Sequence, residues 1–140
     1  MSTEHKMQPL VCGGRRPRKG TATAELAICL PAIVVLVMGA LECTTMIFLK
    51  QSLQIAAYET VRRATPTDGD AATALIRGEQ ILTERQVAGG TVALTPPGSN
   101  TAPRGTPITA TTTAPCALNS ILQLRFFTGS LTGRAVMNKE

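Results

Sequence analysis

Aromatic and histidine side chains are scarce in this sequence of 140 residues. It contains no Trp, one Tyr and three Phe, which excludes a large aromatic-rich core and the stacking platforms of single-strand nucleic-acid binders. Its single histidine, His5, lies near the N-terminus, so histidine-based catalytic triads and zinc sites are excluded for the rest of the chain. We therefore expect no enzymatic activity, no metal site and no cofactor.

The four cysteines also match no spacing typical of zinc or redox sites; they are Cys12, Cys29, Cys43 and Cys116. Cys29 and Cys43 cannot bridge each other, because on one helix they lie about 21 Å apart by helical rise. Two interpretations remain. The cysteines are small hydrophobic side chains compatible with a membrane, or Cys116 forms a disulfide between subunits.

Charged residues are absent from one long stretch, Leu26–Leu41, which reads LAICLPAIVVLVMGAL. With Glu42 and small polar residues as interruptions, the apolar segment continues to Leu49. Since a helix of about 20 residues spans the hydrocarbon core of a lipid bilayer, this segment predicts one transmembrane helix. Pro31 lies inside it, and membrane helices tolerate proline because neighbouring groups satisfy the freed backbone.

Positive charge is concentrated before this segment rather than spread over a folded face. Of the 14 basic residues, five precede Gly20, where Glu4 is the single acid; the five are Lys6, Arg15, Arg16, Arg18 and Lys19. The positive-inside rule then places the N-terminus in the cytoplasm and the chain after residue ~50 outside. We predict a single-pass protein of the bacterial inner membrane with an extracytoplasmic C-terminal domain and no nucleic-acid partner.

Apolar periodicity predicts two helices. Residues 21–65 read as one long helix whose extension beyond the membrane carries a stripe that includes Leu53, Ala57 and Val61. Pro66 stops that helix. A second helix is predicted over residues 68–87 from a moderate helical pattern that includes Leu75, Ile81 and Leu82. Asp68 or Asp70 is its expected N-cap, and Gly89-Gly90 ends it.

Threonine and β-branched residues dominate two later runs, 91–96 and 106–113, separated by a loop rich in Pro and Gly. They predict a β-hairpin with a long connection. Residues 117–127 fit either a short helix or a strand, and the tail after them ends polar.

The predicted fold class is α+β, a long N-terminal transmembrane helix followed by a small helix plus a β-hairpin. The predicted domains are a basic cytoplasmic leader at 1–20, the transmembrane helix and its extension at 21–65, and a small extracytoplasmic domain at 66–140.

Glu25 is the most informative charge, because it stands at the start of the apolar helix, five residues after Gly20. A bare carboxylate in lipid is costly. Glu25 therefore lies among the headgroups, at the positive end of the helix dipole, or it pairs with a positive group, or it has a functional role. An ordinary cleaved secretory signal is disfavoured, because Met38 is too bulky for the position that signal peptidase requires to be small. A lipoprotein signal is also disfavoured, because it requires a small residue directly before the lipidated cysteine, whereas Glu42 precedes Cys43.

The segment RKGTATAELAICLPAIVVLVMGALE, followed by IAAYETVRRA, resembles the start of TadE-like proteins, the pseudopilins of tight-adherence (Flp) pilus systems. In that family a basic leader ends in Gly, four mostly small residues precede a Glu, and an apolar stretch with Pro leads to Gly-x-x-Glu. The corresponding residues here are Gly20, Glu25, Leu26, Ala27, Pro31, Gly39 and Glu42. Leu26 replaces the aromatic residue often found after the glutamate. The resemblance covers residues 15–65, and residues 66–140 carry no family signature.

This resemblance implies cleavage between Gly20 and Thr21 by a membrane prepilin peptidase on the cytoplasmic side. It also implies that the Glu25 carboxylate of one subunit pairs with the new N-terminal amine of another, with other pilins, pseudopilins and pilus assembly proteins as partners. The predicted function is a non-enzymatic minor pseudopilin of a tight-adherence pilus or a related secretion machinery. The alternative is an uncleaved, signal-anchored extracytoplasmic binding protein, with a membrane-bound enzyme third.

Overall fold

The computed structural model describes residues 19–97, 101–121 and 128–140. The described residues fall into two compact units, one that ends at Val35 and one that begins at Leu36. The described elements, in chain order, are helices and strands α1 (Lys19–Ala64), α2 (Ala71–Glu84), β1 (Thr91–Thr95), β2 (Pro107–Pro115), α3 (Cys116–Asn119) and β3 (Ser130–Asn138). The fold is α+β, as the sequence predicts.

Helix α1 confirms the predicted long helix of residues 21–65, and it continues through Pro31 without a break. Its first part is apolar and exposed in the single chain: Ile28 is 79% exposed and Val35 is 71% exposed. Among the described residues, one helix, Gly20–Ala64, is long and apolar enough to cross a membrane. Its exposed apolar surface fits a single-pass membrane protein, because such surface is unfavourable in water.

Within residues 36–140, the second part of α1 forms one wall of the core. Leu53, Ala57 and Val61 have no exposed surface, which confirms the predicted stripe. The sheet lies very close to the helix at Leu53: the Thr112 hydroxyl donates to the Leu53 carbonyl over 2.8 Å. A side-chain carbon added at Gly133 would lie 2.5 Å from the Leu53 carbonyl carbon. Only glycine fits at this point of contact.

Helix α2 confirms the predicted second helix, with Asp70 as its N-cap. The Asp70 carboxylate accepts a hydrogen bond from the Thr73 amide over 3.0 Å, which satisfies one of the four amides left unpaired at a helix start. The helix ends at Glu84, three residues earlier than predicted. Gln86 adopts a positive φ of 56° and turns the chain before Gly89 is reached, a conformation open to a few non-glycine residues.

The predicted hairpin is confirmed as β1 and β2, which pair antiparallel from Thr91 opposite Thr113 to Thr95 opposite Thr109. The sheet is larger than predicted, however. Residues 130–138, which include most of the tail for which no element was predicted, form β3. This strand pairs antiparallel with β2 along its whole length, so the order is β1-β2-β3. Residues 117–119 belong to the short helix α3, whereas residues 122–127 of the undecided segment lie outside the described residues.

Strand β3 is an edge strand, and α1 covers its open edge with polar side chains. The Gln54 side-chain amide donates to the Arg134 carbonyl over 2.8 Å and accepts from the Arg134 amide over 3.3 Å. The Lys50 ammonium donates to the Thr132 carbonyl. Covering an edge in this way removes the unpaired backbone groups that would recruit another strand.

Candidate functional site

Gly20 and Thr21 lie in the first turn of α1, which begins at Lys19. The amides of a first helical turn have no partner within the helix, so this turn unwinds at lower cost than any interior turn. A side-chain carbon added at Gly20 would meet no atom within 4 Å, so packing within the described residues does not require glycine here. Cleavage between the two residues stays a prediction.

Glu25 is exposed on α1, next to Leu26, which is 58% exposed. It follows Thr21 by four positions, and residues four apart share one face of a helix. Within the described part of the chain, no hydrogen bond or ion pair involves the Glu25 carboxylate. The role of Glu25 in assembly stays a prediction.

Pro31 and Gly39 both face outward from α1. Pro31 is exposed, and a side-chain carbon added at Gly39 would find open space within 4 Å. Any role that they have therefore concerns what surrounds the helix.

Glu42 has a different environment from the other members of the predicted set. Its side chain is only 1% exposed, and the Ser120 hydroxyl donates a hydrogen bond to Glu42 Oε1. A carboxylate buried without hydrogen bonds costs several kcal/mol, and bonding to the charged oxygen offsets part of that cost. The C-terminal domain thus covers Glu42, directly after the apolar run ends at Leu41.

Sequence reasoning missed two residues that hold the domain on α1, Ser120 and Lys139. Lys139 is 5% exposed, and its ammonium donates to the carbonyls of Ala64 over 3.2 Å and Pro66 over 2.7 Å. A cation at a helix C-terminus interacts favourably with the last carbonyls and with the dipole. The basic residues in the last turn of α1, Arg62 and Arg63, are exposed.

The three described cysteines differ in how far they are buried. Cys29 and Cys43 are exposed, whereas Cys116 is 5% exposed and packs in the core with Met46 and Leu49. This packing favours the interpretation of Cys116 as a small hydrophobic side chain, because a disulfide between subunits needs an accessible sulfur. Across the described ranges, no three His, Cys, Asp or Glu side chains are grouped to hold a metal ion.

A polar depression of about 560 Å³ lies where α1 ends and α2 begins. Its charges are mixed: Arg62, Arg63 and Arg77 alternate with acids that include Asp68. Surface ion pairs neutralise part of this charge, as between Arg62 and Glu59 over 3.7 Å. Exposed pairs of this kind contribute little to stability. The Thr73 hydroxyl donates to the Asp70 carboxylate over 2.9 Å in this depression, where Asp70 is the N-cap of α2.

These features define a class: a protein whose described residues include one N-terminal helix long and apolar enough to cross a membrane, with the second half of that helix packed into a small α+β domain. Residues 20–62 match a family model, TadE, described as TadE-like protein. The match covers most of α1, where the sequence resembles TadE-like proteins, so over these residues the chain is similar to that family. No curated protein and no solved structure matches the chain.

Proposed function

We propose that the protein is a minor pseudopilin of a tight-adherence pilus or a related secretion machinery, and that it acts without catalysis. In this proposal it spans the bacterial inner membrane once, with its N-terminus in the cytoplasm and its C-terminal domain outside. The observation that carries the proposal is the family match over residues 20–62, which begins at the glycine expected to precede the cleavage site.

The surface of α1 supports a helix that is surrounded first by lipid and later by other subunits. Leu36 is 74% exposed and Leu30 is 51% exposed in the single chain. Burial of apolar surface stabilises by roughly 25 cal/mol per Å², whereas small residues such as Gly39 let neighbouring helices approach closely. An apolar helix with open space at a glycine suits both surroundings.

Cleavage after Gly20 would change the chemistry of this helix end. It would remove the basic leader and leave an ammonium group at Thr21, one helical turn from the Glu25 carboxylate. An ammonium and a carboxylate on neighbouring subunits, paired in a medium of low dielectric constant, offset each other's desolvation. The proposed role of Glu25 is therefore to fix the axial position of one helix against the next.

The first experiment determines the N-terminus of the mature protein by mass spectrometry in a bacterium that carries the pilus system. We expect the chain to begin at Thr21. Gly20→Val should accumulate uncut in the membrane, whereas Gly39→Val, the matched control at a second open glycine, should be cut normally. A wild-type chain that keeps its leader would contradict the proposal and favour the uncleaved, signal-anchored alternative.

The second experiment separates processing from association. Glu25→Gln keeps the size of the side chain and removes its charge, so cleavage and insertion should remain normal while crosslinking to other pilins is lost. The matched control is Glu79→Gln, which removes one charge from an exposed position of α2. Wild-type crosslinking and piliation in Glu25→Gln would refute the pairing and leave Glu25 as an interfacial acid.

A further inference from the structure

The segment from Leu118 to Ile121 exposes its apolar side chains and turns its polar ones inward. Leu118 is 64% exposed and Ile121 is 69% exposed. Between them, Asn119 and Ser120 are partly buried and bonded to the protein. In water the opposite arrangement is favoured, because hydration stabilises polar groups and burial stabilises apolar ones.

Hydrogen bonds fix this arrangement from both sides. The Asn119 side chain accepts from the Ala88 amide and donates to the Ala88 carbonyl, both over 2.9 Å, and it also donates to the Pro115 carbonyl over 2.9 Å. The Ser120 hydroxyl donates to Glu42. Leu118 and Ile121 are therefore held outward by a bonded framework rather than by a loose turn.

The bond to Glu42 also fixes where these side chains lie along α1. Glu42 comes directly after the apolar residues Leu36–Leu41, of which Leu41 is 49% exposed. Ser120 therefore lies beside the end of the apolar run, and Ile121 follows it directly in the chain. Ile47 and Phe48, further along α1, are 59% and 50% exposed. The exposed apolar surface of the helix therefore continues past Glu42.

Two basic side chains lie near this apolar surface. Arg85 lines a depression of about 170 Å³ together with Phe48 and Asn119, and Lys50 follows Phe48 on α1 by two positions. The carboxylate of Glu42 is buried. Apolar side chains with basic ones near them complement the acyl chains and phosphates of a bilayer surface, because cationic side chains place their charge among headgroups.

We propose that Leu118 and Ile121 insert into the outer interfacial layer of the bilayer that α1 crosses. The C-terminal domain then rests directly on the membrane, with Glu42 sealed between helix and domain at the level of the headgroups. This inference rests on the membrane span of the proposed function, and it adds a lipid-binding surface to the domain. The occupant is the lipid bilayer, since the surface continues the apolar face of the membrane helix.

The absence of tryptophan from the chain allows a direct test with single-tryptophan variants of the full-length protein. The reporter is Ile121→Trp, with Leu118→Trp as an independent second reporter. Ile76→Trp is the matched control, because Ile76 is also an exposed isoleucine, at 56%, but lies on α2. Val35→Trp reports on the apolar run itself. Each variant is reconstituted in phosphatidylcholine–phosphatidylglycerol vesicles with or without bromine on the acyl chains, and iodide is added as the aqueous quencher.

We expect brominated lipid to remove most of the emission of Ile121→Trp and Leu118→Trp, with iodide having little effect, and the reverse for Ile76→Trp. If iodide quenches both reporters as strongly as it quenches Ile76→Trp, the inference is overturned. Reporters protected from both quenchers would overturn it too, because a second protein copy would then be the occupant. Failure of Val35→Trp to respond to brominated lipid would instead refute the membrane span, and with it the proposed function.

Discussion

Replacing Gly133 by alanine should separate the sheet from α1, because the added carbon has no room. It would lie 2.5 Å from the Leu53 carbonyl carbon, 2.6 Å from the Leu53 oxygen and 2.8 Å from the Gln54 nitrogen. Non-bonded heavy atoms prefer separations of roughly 3.5–4.0 Å. All three neighbours belong to the helix backbone and cannot rotate away, so β3 must retreat from α1 by about 1 Å.

The cost of that retreat has two parts. Forcing one extra carbon into a packed core costs typically about 1–3 kcal/mol. The movement also stretches the bond from the buried Thr112 hydroxyl to the Leu53 carbonyl, now 2.8 Å, and an unsatisfied buried hydroxyl costs about 1–3 kcal/mol. Alanine recovers less than about 1 kcal/mol through the entropy of the unfolded chain. We expect Gly133→Ala to lower the free energy of unfolding by about 3 kcal/mol, a large part of a small domain's stability.

The buried thiol of Cys116 provides the assay, since it is 5% exposed when the domain is folded. In a full-length background with Cys12, Cys29 and Cys43 replaced by serine, the fraction of Cys116 that reacts with a maleimide is measured against urea in detergent micelles. Gly39→Ala is the matched control, because an added carbon there meets nothing within 4 Å. If Gly133→Ala unfolds within about 0.5 kcal/mol of its parent, as neutral surface substitutions do, the reasoning on this close contact is wrong.

Three further predictions concern the domain and its orientation. Lys139→Met should lower the free energy of unfolding by about 1–3 kcal/mol, because two carbonyls lose their donor; the exposed Arg104→Met is the control in the same urea titration, and equal effects would contradict the capping role. A fragment starting at Thr67 should show no cooperative thermal transition by circular dichroism, because it lacks the buried stripe of α1; a fragment starting at Lys50 that melts no higher would show that the helix contributes little. Reporter fusions should place residue 10 in the cytoplasm and residue 130 outside, and a cytoplasmic signal at residue 130 would refute the topology.

The helices and the hairpin could be predicted because their patterns are local. The α1 stripe repeats at helical spacing, and β1 and β2 are runs of β-branched residues separated by a loop rich in Pro and Gly. Strand β3 has no such pattern, although its burial alternates strictly. Its inward positions include Gly133 and Ala135, which give almost no apolar signal, and the close approach to α1 demands these small residues.

The candidate site was predictable only where it depends on a linear motif. Gly20, Thr21 and Glu25 stand at fixed spacings along the chain, so such a motif can be recognised from the sequence alone. The partner of Glu42 is Ser120, 78 positions away, and the cap of α1 comes from Lys139, 75 positions after Ala64. No local pattern relates residues so far apart, since only the folded sheet brings them together.

Glu25 and Glu42 stand at opposite ends of the same apolar run, and the fold treats them differently. The chain satisfies Glu42 with its own domain: the carboxylate is 1% exposed and bonded to Ser120. Glu25 is exposed, and the described residues provide it with no ion-pair partner. A buried charge with an internal partner stabilises one conformation of one chain, whereas a charge kept at a membrane boundary is stabilised by what the surroundings provide. The difference argues that Glu42 holds the domain to its helix, and that no described residue does the same for Glu25.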